Sequence, residues 1–311
     1  MTRWLRSFWV RAAITGVILA YLLRQVDAGE AMRAMLRANP MAVATVCLLV
    51  LLDRVVMIWR WLLLLRASGT DVATRTAARI FLVSSFVGSF LPAGVGGDAA
   101  RAYALGQRTA QRGAAVASVA IDRILGVVAI ALMGAVGVAI YARQHPDPQV
   151  QLVAFWSAAL VFVGSGAAIW ADRWIRWLPA SWHHWTPVRL PLRIADAVAF
   201  YRGEPRTLLA VFALSLLVQV LRIVQAYGLG LGLGIGVPFS YYLVFMPVGL
   251  LMLLLPISVS GFGLPQGVIM WLLRPQGVPD ELSLALTTLI ILTGLFGNVP
   301  GALLYLRRRA A

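Results

Sequence analysis

Asp98 and Arg101 stand three residues apart, directly after a glycine cluster, in the stretch "FLPAGVGGDAARAY" (Phe90–Tyr103). Pro92 ends an apolar run there. Gly94, Gly96 and Gly97 let the chain turn and let a ligand approach the backbone. Asp98 then falls where an N-cap is wanted, opening a helix over Ala99–Leu105. The free N–H groups of a helix N-terminus attract anions, phosphate included. With Arg101 in that first turn, "GGDAAR" has the makings of a half-site for an anionic headgroup. The plainer reading is that Asp98 only caps the helix, occupying the anion site, while Arg101 reaches to the interface.

Other charges lie inside apolar stretches. Asp122 and Arg123 fall about 14 Å into the run 113–141, at about 1.5 Å per residue. That is close to a bilayer midplane, where a charge costs roughly 2.5–3.5 kcal/mol on insertion scales and needs a partner or a cavity. Asp53 and Arg54 pose the same problem in the run 41–65. Neighbours in sequence do not face each other on a helix. Cross-pairs, such as Asp53 with Arg123 or Asp122 with Arg222, would satisfy both runs. Ser215, Gln219, Arg222 and Gln225 recur at helical spacing and form one stripe. Such a stripe either packs helices together or lines a cavity for a headgroup.

Enzymatic chemistry has less to work with. Asp98 and Asp122 could serve as acid and base, but the chain has no D-x-D pair, no HExxH and no Ser-His-Asp candidate. The histidines are His145, His183 and His184, and Cys47 is the lone cysteine, so no disulfide, metal centre or cofactor is expected.

The elements that must position these residues are membrane helices. The 311 residues are 60% hydrophobic and 13% charged, against roughly 25% charged in soluble domains, with mean hydropathy +0.83. Net charge is +15, and every basic residue is Arg. The arginines sit in short loops between apolar runs, which points to anionic lipid headgroups and not to nucleic acid. Six stretches are long enough to cross a bilayer, roughly 8–25, 41–65, 113–141, 150–171, 207–229 and 282–306. Asn298 and Pro300 mark a kink in the last of them. The connection 173–206 mixes Arg with Trp, Phe and Tyr, as interfacial helices do.

Two further apolar runs behave differently. Residues 77–91 end at Pro92 and continue into a segment too polar to span, and residues 239–255 end at Pro256 and continue as the short run 264–273. If both are re-entrant hairpins, about 77–112 and 239–274, most loop arginines gather on the side that holds both termini. By the positive-inside rule that side is the cytoplasm. "LPAGVGGDA" also aligns with "LPISVSGFG": Pro92 with Pro256, Val95 with Val259, Gly97 with Gly261. The two hairpins enter from opposite sides, as in an inverted repeat with broken helices. The expected fold is therefore an all-α polytopic membrane protein. It has about six spanning helices and two re-entrant helical hairpins in a single domain over residues 1–311.

The pattern "LP…GGD..R.Y.L", the Asp122–Arg123 pair in a span and "LPIS..G.G" near the C-terminus resemble the lysylphosphatidylglycerol synthase transmembrane region, or flippase-like domain, family. The resemblance covers nearly the whole chain. It carries over to Pro92, Gly96, Gly97, Asp98, Arg101, Arg123, Pro256, Ser258, Gly261 and Gly263. Asp122 stands where that family often has Glu, and Pro265-Gln266 stands where it commonly has Arg-Glu, so the second hairpin lacks a charge of its own. The resemblance implies movement of lipids between leaflets, notably aminoacylated phosphatidylglycerol. No segment here reads as the aminoacyl-transfer domain fused to it in the multiple peptide resistance factor, so lipid synthesis is not expected.

The resulting expectation is a non-enzymatic translocase of an anionic or modified phospholipid, or of a polyprenyl lipid, in the inner membrane. The candidate binding set is Gly96, Gly97, Asp98, Arg101, Asp122, Arg123, Gln219, Arg222, Ser258, Gly261 and Gly263. The alternatives are an accessory subunit of an envelope-lipid pathway and an integral-membrane lipid-phosphate transferase. Membrane lipids are the expected partners, with a second copy of the chain or pathway enzymes left open.

Overall fold

The structure, a computed structural model, describes residues 26–91, 96–109, 112–144, 201, 203–253 and 263–309. The runs 8–25 and 150–171, most of the 173–206 connection, and the turns of both expected hairpins lie outside the described residues, Ser258 and Gly261 among them. The described residues are helical, without strands.

Helix α1 (Ala28–Arg37) falls in what reads as a loop from sequence. Its start is fixed by Asp27, whose carboxylate accepts from the N–H groups of Gly29 and Glu30. Helix α2 (Pro40–Ala67) follows at once, capped by Asn39 and opened by a proline at its first position. Helices α3 (Thr74–Gly88) and α4 (Gly96–Gly106) form the first helical pair. Helix α5 (Arg112–Gln144) and helix α6 (Pro205–Gly232) are again long and apolar. Helices α7 (Phe239–Met252) and α8 (Leu264–Leu273) form the second pair. Helices α9 (Asp280–Phe296) and α10 (Val299–Arg309) complete the chain.

Four segments are long and apolar enough to cross a membrane: Pro40–Ala67, Gly113–Gln144, Pro205–Gly232 and Asp280–Arg307. They coincide with the four expected spans that the described residues cover. The last is interrupted between Phe296 and Val299, at the expected Asn298 kink. Helices α3 and α4, at 15 and 11 residues, reach only about 22 and 16 Å, short of a hydrocarbon core of about 30 Å. Helix α8, at 10 residues, is shorter still.

Packing follows the rule for helices in lipid, in which small residues let backbones approach. A side chain on Gly137 of α5 would collide with the Leu243 carbonyl of α7, and one on Gly301 of α10 with the Leu82 carbonyl of α3. Ala77, Ile80 and Phe81 of α3 cluster with Leu105 of α4 and Trp61 of α2, so α4 returns beside α3. In the second pair the Tyr241 hydroxyl donates to the Leu272 carbonyl at 2.6 Å, tying the start of α7 to the end of α8. Leu48, Trp59, Tyr103, Leu209, Trp271 and Leu303 point outward, as side chains that meet acyl chains must.

Candidate functional site

Arg60, on α2, is the residue that sequence reasoning missed. It is 5% exposed and donates from Nε to Asp122 Oδ1 at 2.7 Å, while its Nη1 donates to the Ser215 hydroxyl at 3.1 Å. The other oxygen of Asp122 accepts from Arg101 Nη2 at 3.0 Å. One carboxylate thus joins three helices, α2, α4 and α5, and Ser215 adds α6. Arg101 is held further by Asp98 at 3.0 Å and lies over the rings of Trp61 and Phe81, at 5.1 and 5.2 Å. It is therefore not the free headgroup ligand its place in the first turn suggests. Its charge is taken up inside the protein.

The expected cross-pairs do not form. Asp122 meets Arg60 and Arg101 and not Arg222, while Asp53 meets Arg222 at 3.6 Å and Arg54 at 3.8 Å and not Arg123. The cause is the neighbourhood of the helices: α6 packs along α2, which brings Arg222 to Asp53. Arg123 instead reaches across to α4 and meets Asp98 at 3.1 Å. Asp98 is not a cap either. The helix begins at Gly96, so Asp98 lies within the first turn and pairs with Arg101 and Arg123.

These pairs differ sharply in exposure. The Arg60 and Asp122 side chains are 5% and 3% exposed, those of Arg123 and Arg222 42% and 25%. Arg123 and Arg222 open onto two adjoining cavities. The larger, about 410 Å³, reaches from Gly97 and Asp98 past Asp53 and Arg54 to Asn298. The smaller, about 120 Å³, is lined by Arg60, Arg101, Asp122 and Gln219. Ser85, Gly97, Asp98, Arg123 and Arg222 line both, so the two form one polar path. The volume of the larger suits a small-molecule site, which typically runs from about 300 to 1,000 Å³.

The polar stripe on α6 behaves as its spacing suggests. Ser215 holds Arg60, Gln219 lines the smaller cavity, Gln225 the larger, and Arg222 both. Several polar atoms along this path are buried without a hydrogen bond: Asp53 Oδ1, Arg54 Nε, Arg101 Nε, Gln219 Oε1 and Gln225 Nε2. Among the described residues no three His, Cys, Asp or Glu side chains converge as metal ligands do.

Gly97 touches the cavity and also the facing helix. A Cβ there would stand 3.1 Å from the Ser84 carbonyl, and one on Gly88 would stand 2.7 Å from Gly97 Cα. On Gly96 it would run into Leu91. The glycines therefore bring the end of α3 close to the start of α4. Gly88→Val should push the pair apart and cost about 1–3 kcal/mol, as overpacking does. A melting temperature indistinguishable from that of the parent would contradict this packing.

Of the other expected site residues, Gly263 lies at the N-terminus of α8 with φ +97°, a conformation open chiefly to glycine. Its N–H donates to Gln266 Oε1 at 3.1 Å, and Gln266 Nε2 donates to the Thr288 hydroxyl at 3.2 Å. The uncharged Gln266 thus fastens α8 to α9.

The family model described as lysylphosphatidylglycerol synthase TM region matches residues 8–301. No curated protein matches the chain.

Proposed function

Because the chain belongs to the family of the lysylphosphatidylglycerol synthase TM region, we propose that it moves lipids with an anionic headgroup between the leaflets of the inner membrane. The observation that carries this reading is the polar path through the bundle, with Arg123 and Arg222 facing its open space. Two cations beside a cavity at membrane depth need an anion there, and a lipid supplies one while its acyl chains stay in the bilayer. Each of these arginines is kept soluble within the protein by a carboxylate, Asp98 or Asp53, at 3.1 or 3.6 Å. An arriving phosphate replaces the carboxylate, and the carboxylate reclaims the arginine when the phosphate leaves. Since Asp98 belongs to α4 and Arg123 to α5, that exchange loosens the α3–α4 pair from its neighbour. The movement exposes the path to one leaflet and then the other, in the manner of alternating access.

In this reading α3–α4 and α7–α8 are re-entrant hairpins entering from opposite faces, with both termini cytoplasmic, as the arginine distribution favours. The transferase alternative is weaker, because Asp53, Asp98 and Asp122 all lie against arginines, which suits counter-ions better than proton carriers. The accessory-subunit alternative is separated by reconstitution. Purified protein in vesicles should speed the exchange of a headgroup-labelled phosphatidylglycerol between leaflets, read by quenching from outside. An exchange rate equal to that of protein-free vesicles, with binding of the lipid retained, would favour the accessory role.

A further inference from the structure

The charges along the path do not cancel. Five arginines line it, Arg54, Arg60, Arg101, Arg123 and Arg222, against three aspartates, Asp53, Asp98 and Asp122. The difference, 5 − 3, leaves two positive charges among the described lining residues. Arginine cannot shed its proton in a protein, so the surplus cannot be relieved by titration. A charge away from water demands a counter-charge.

The surplus is divided between two linked groups. Arg60, Asp122, Arg101, Asp98 and Arg123 form a chain of ion pairs with three cations and two anions. Arg54, Asp53 and Arg222 form a second group with two cations and one anion. Among the described residues each group carries one uncompensated positive charge, and their open members, Arg123 and Arg222, line the same space. Some donors there also lack an acceptor. Among the described residues Arg222 is hydrogen-bonded only to the Met57 sulfur, at 3.4 Å, and Arg54 Nε and Gln225 Nε2 are buried without an acceptor. A ligand that answers the charge surplus brings two negative charges together, on oxygens that can accept from these donors.

Resting on the reading of the cavity as a headgroup path, we propose that the site is matched to a dianionic headgroup, a terminal phosphomonoester or a diphosphate on a lipid. A phosphodiester such as that of phosphatidylglycerol brings one negative charge and leaves one arginine uncompensated. A zwitterionic headgroup brings none net. A phosphomonoester brings close to two at neutral pH, with three terminal oxygens, and fits the fork of a guanidinium from each side.

Binding to the purified full chain in detergent tests this, with phosphatidate, phosphatidylglycerol and phosphatidylcholine of identical acyl chains as probes. Phosphatidate should bind at least about ten-fold more tightly than phosphatidylglycerol at pH 8, where the second charge is present. The advantage should shrink below about pH 6, where the headgroup takes up a proton. Arg222→Gln and Arg123→Gln should each reduce it to about two- to three-fold with the elution profile unchanged. Phosphatidylglycerol or phosphatidylcholine binding as tightly as phosphatidate at pH 8 would overturn the charge match. Inorganic phosphate and diphosphate form the second arm. Binding of diphosphate with none of phosphatidate would uphold the dianion and overturn the lipid path. Tight phosphatidate binding without any leaflet exchange in vesicles would uphold the headgroup assignment and overturn translocation alone.

Discussion

Asp122→Ala should leave little folded protein. The substitution strands Arg60 and Arg101, both buried and both bonded to the lost carboxylate. Breaking a buried ion pair from one side costs about 3–5 kcal/mol, and here two cations lose their partner at once. The solubilised variant should elute as aggregate, or melt far below the parent. The double variant Arg60→Gln, Asp122→Asn should recover much of the loss, because it removes the anion together with one of its two cations and leaves groups that can still hydrogen-bond. A monodisperse Asp122→Ala protein with the parent's melting temperature would show that the knot joining α2, α4 and α5 contributes nothing to the fold.

Arg123→Gln and Arg222→Gln should behave in the opposite way. Their ion pairs are partly open to the cavity, so their removal should change stability by about 1 kcal/mol or less. Leaflet exchange of an anionic lipid should nevertheless fall at least about ten-fold, because in the proposed function the lost charge-assisted contacts are those made with the lipid. Normal exchange by either stable variant would remove that arginine from the path. The contrast between adjacent residues follows from helix geometry: Asp122 and Arg123 point about 100° apart, one into the buried ion-pair knot and one toward the open part of the cavity.

Much of this arrangement is legible in the sequence. Hydropathy places the spans, since a run of some twenty apolar residues has few other stable homes. Asn298 marks the break before α10. What cannot be read from one chain is which helices are neighbours. Asp122 and Arg60 are 62 positions apart, and no local periodicity links them. Depth alone allows Asp122 to meet Arg222, yet the packing of α6 along α2 gives Arg222 to Asp53. Arg60 itself carried a signal: an arginine flanked by "IW" and "WLLLL" is as isolated in apolar sequence as Asp122. The cap assignment of Asp98 failed for a local reason. Glycine places no steric stop on the helix, so α4 starts three residues before the expected Ala99, at Gly96. A buried Arg101 follows from that start, which turns it toward Asp122 and Trp61.

In the proposed function lipid headgroups travel through the space shared by the two cavities. Ser85 lines both of them and stands on α3, beside the α4 start. In a Cys47→Ser background, Ser85→Cys protein can be reconstituted and its leaflet exchange followed before and after reaction with a small membrane-permeant thiol reagent. Exchange should stop when the thiol is blocked and return when the adduct is reduced. Exchange that continues at the same rate with the thiol fully modified would place the lipid's route elsewhere in the protein.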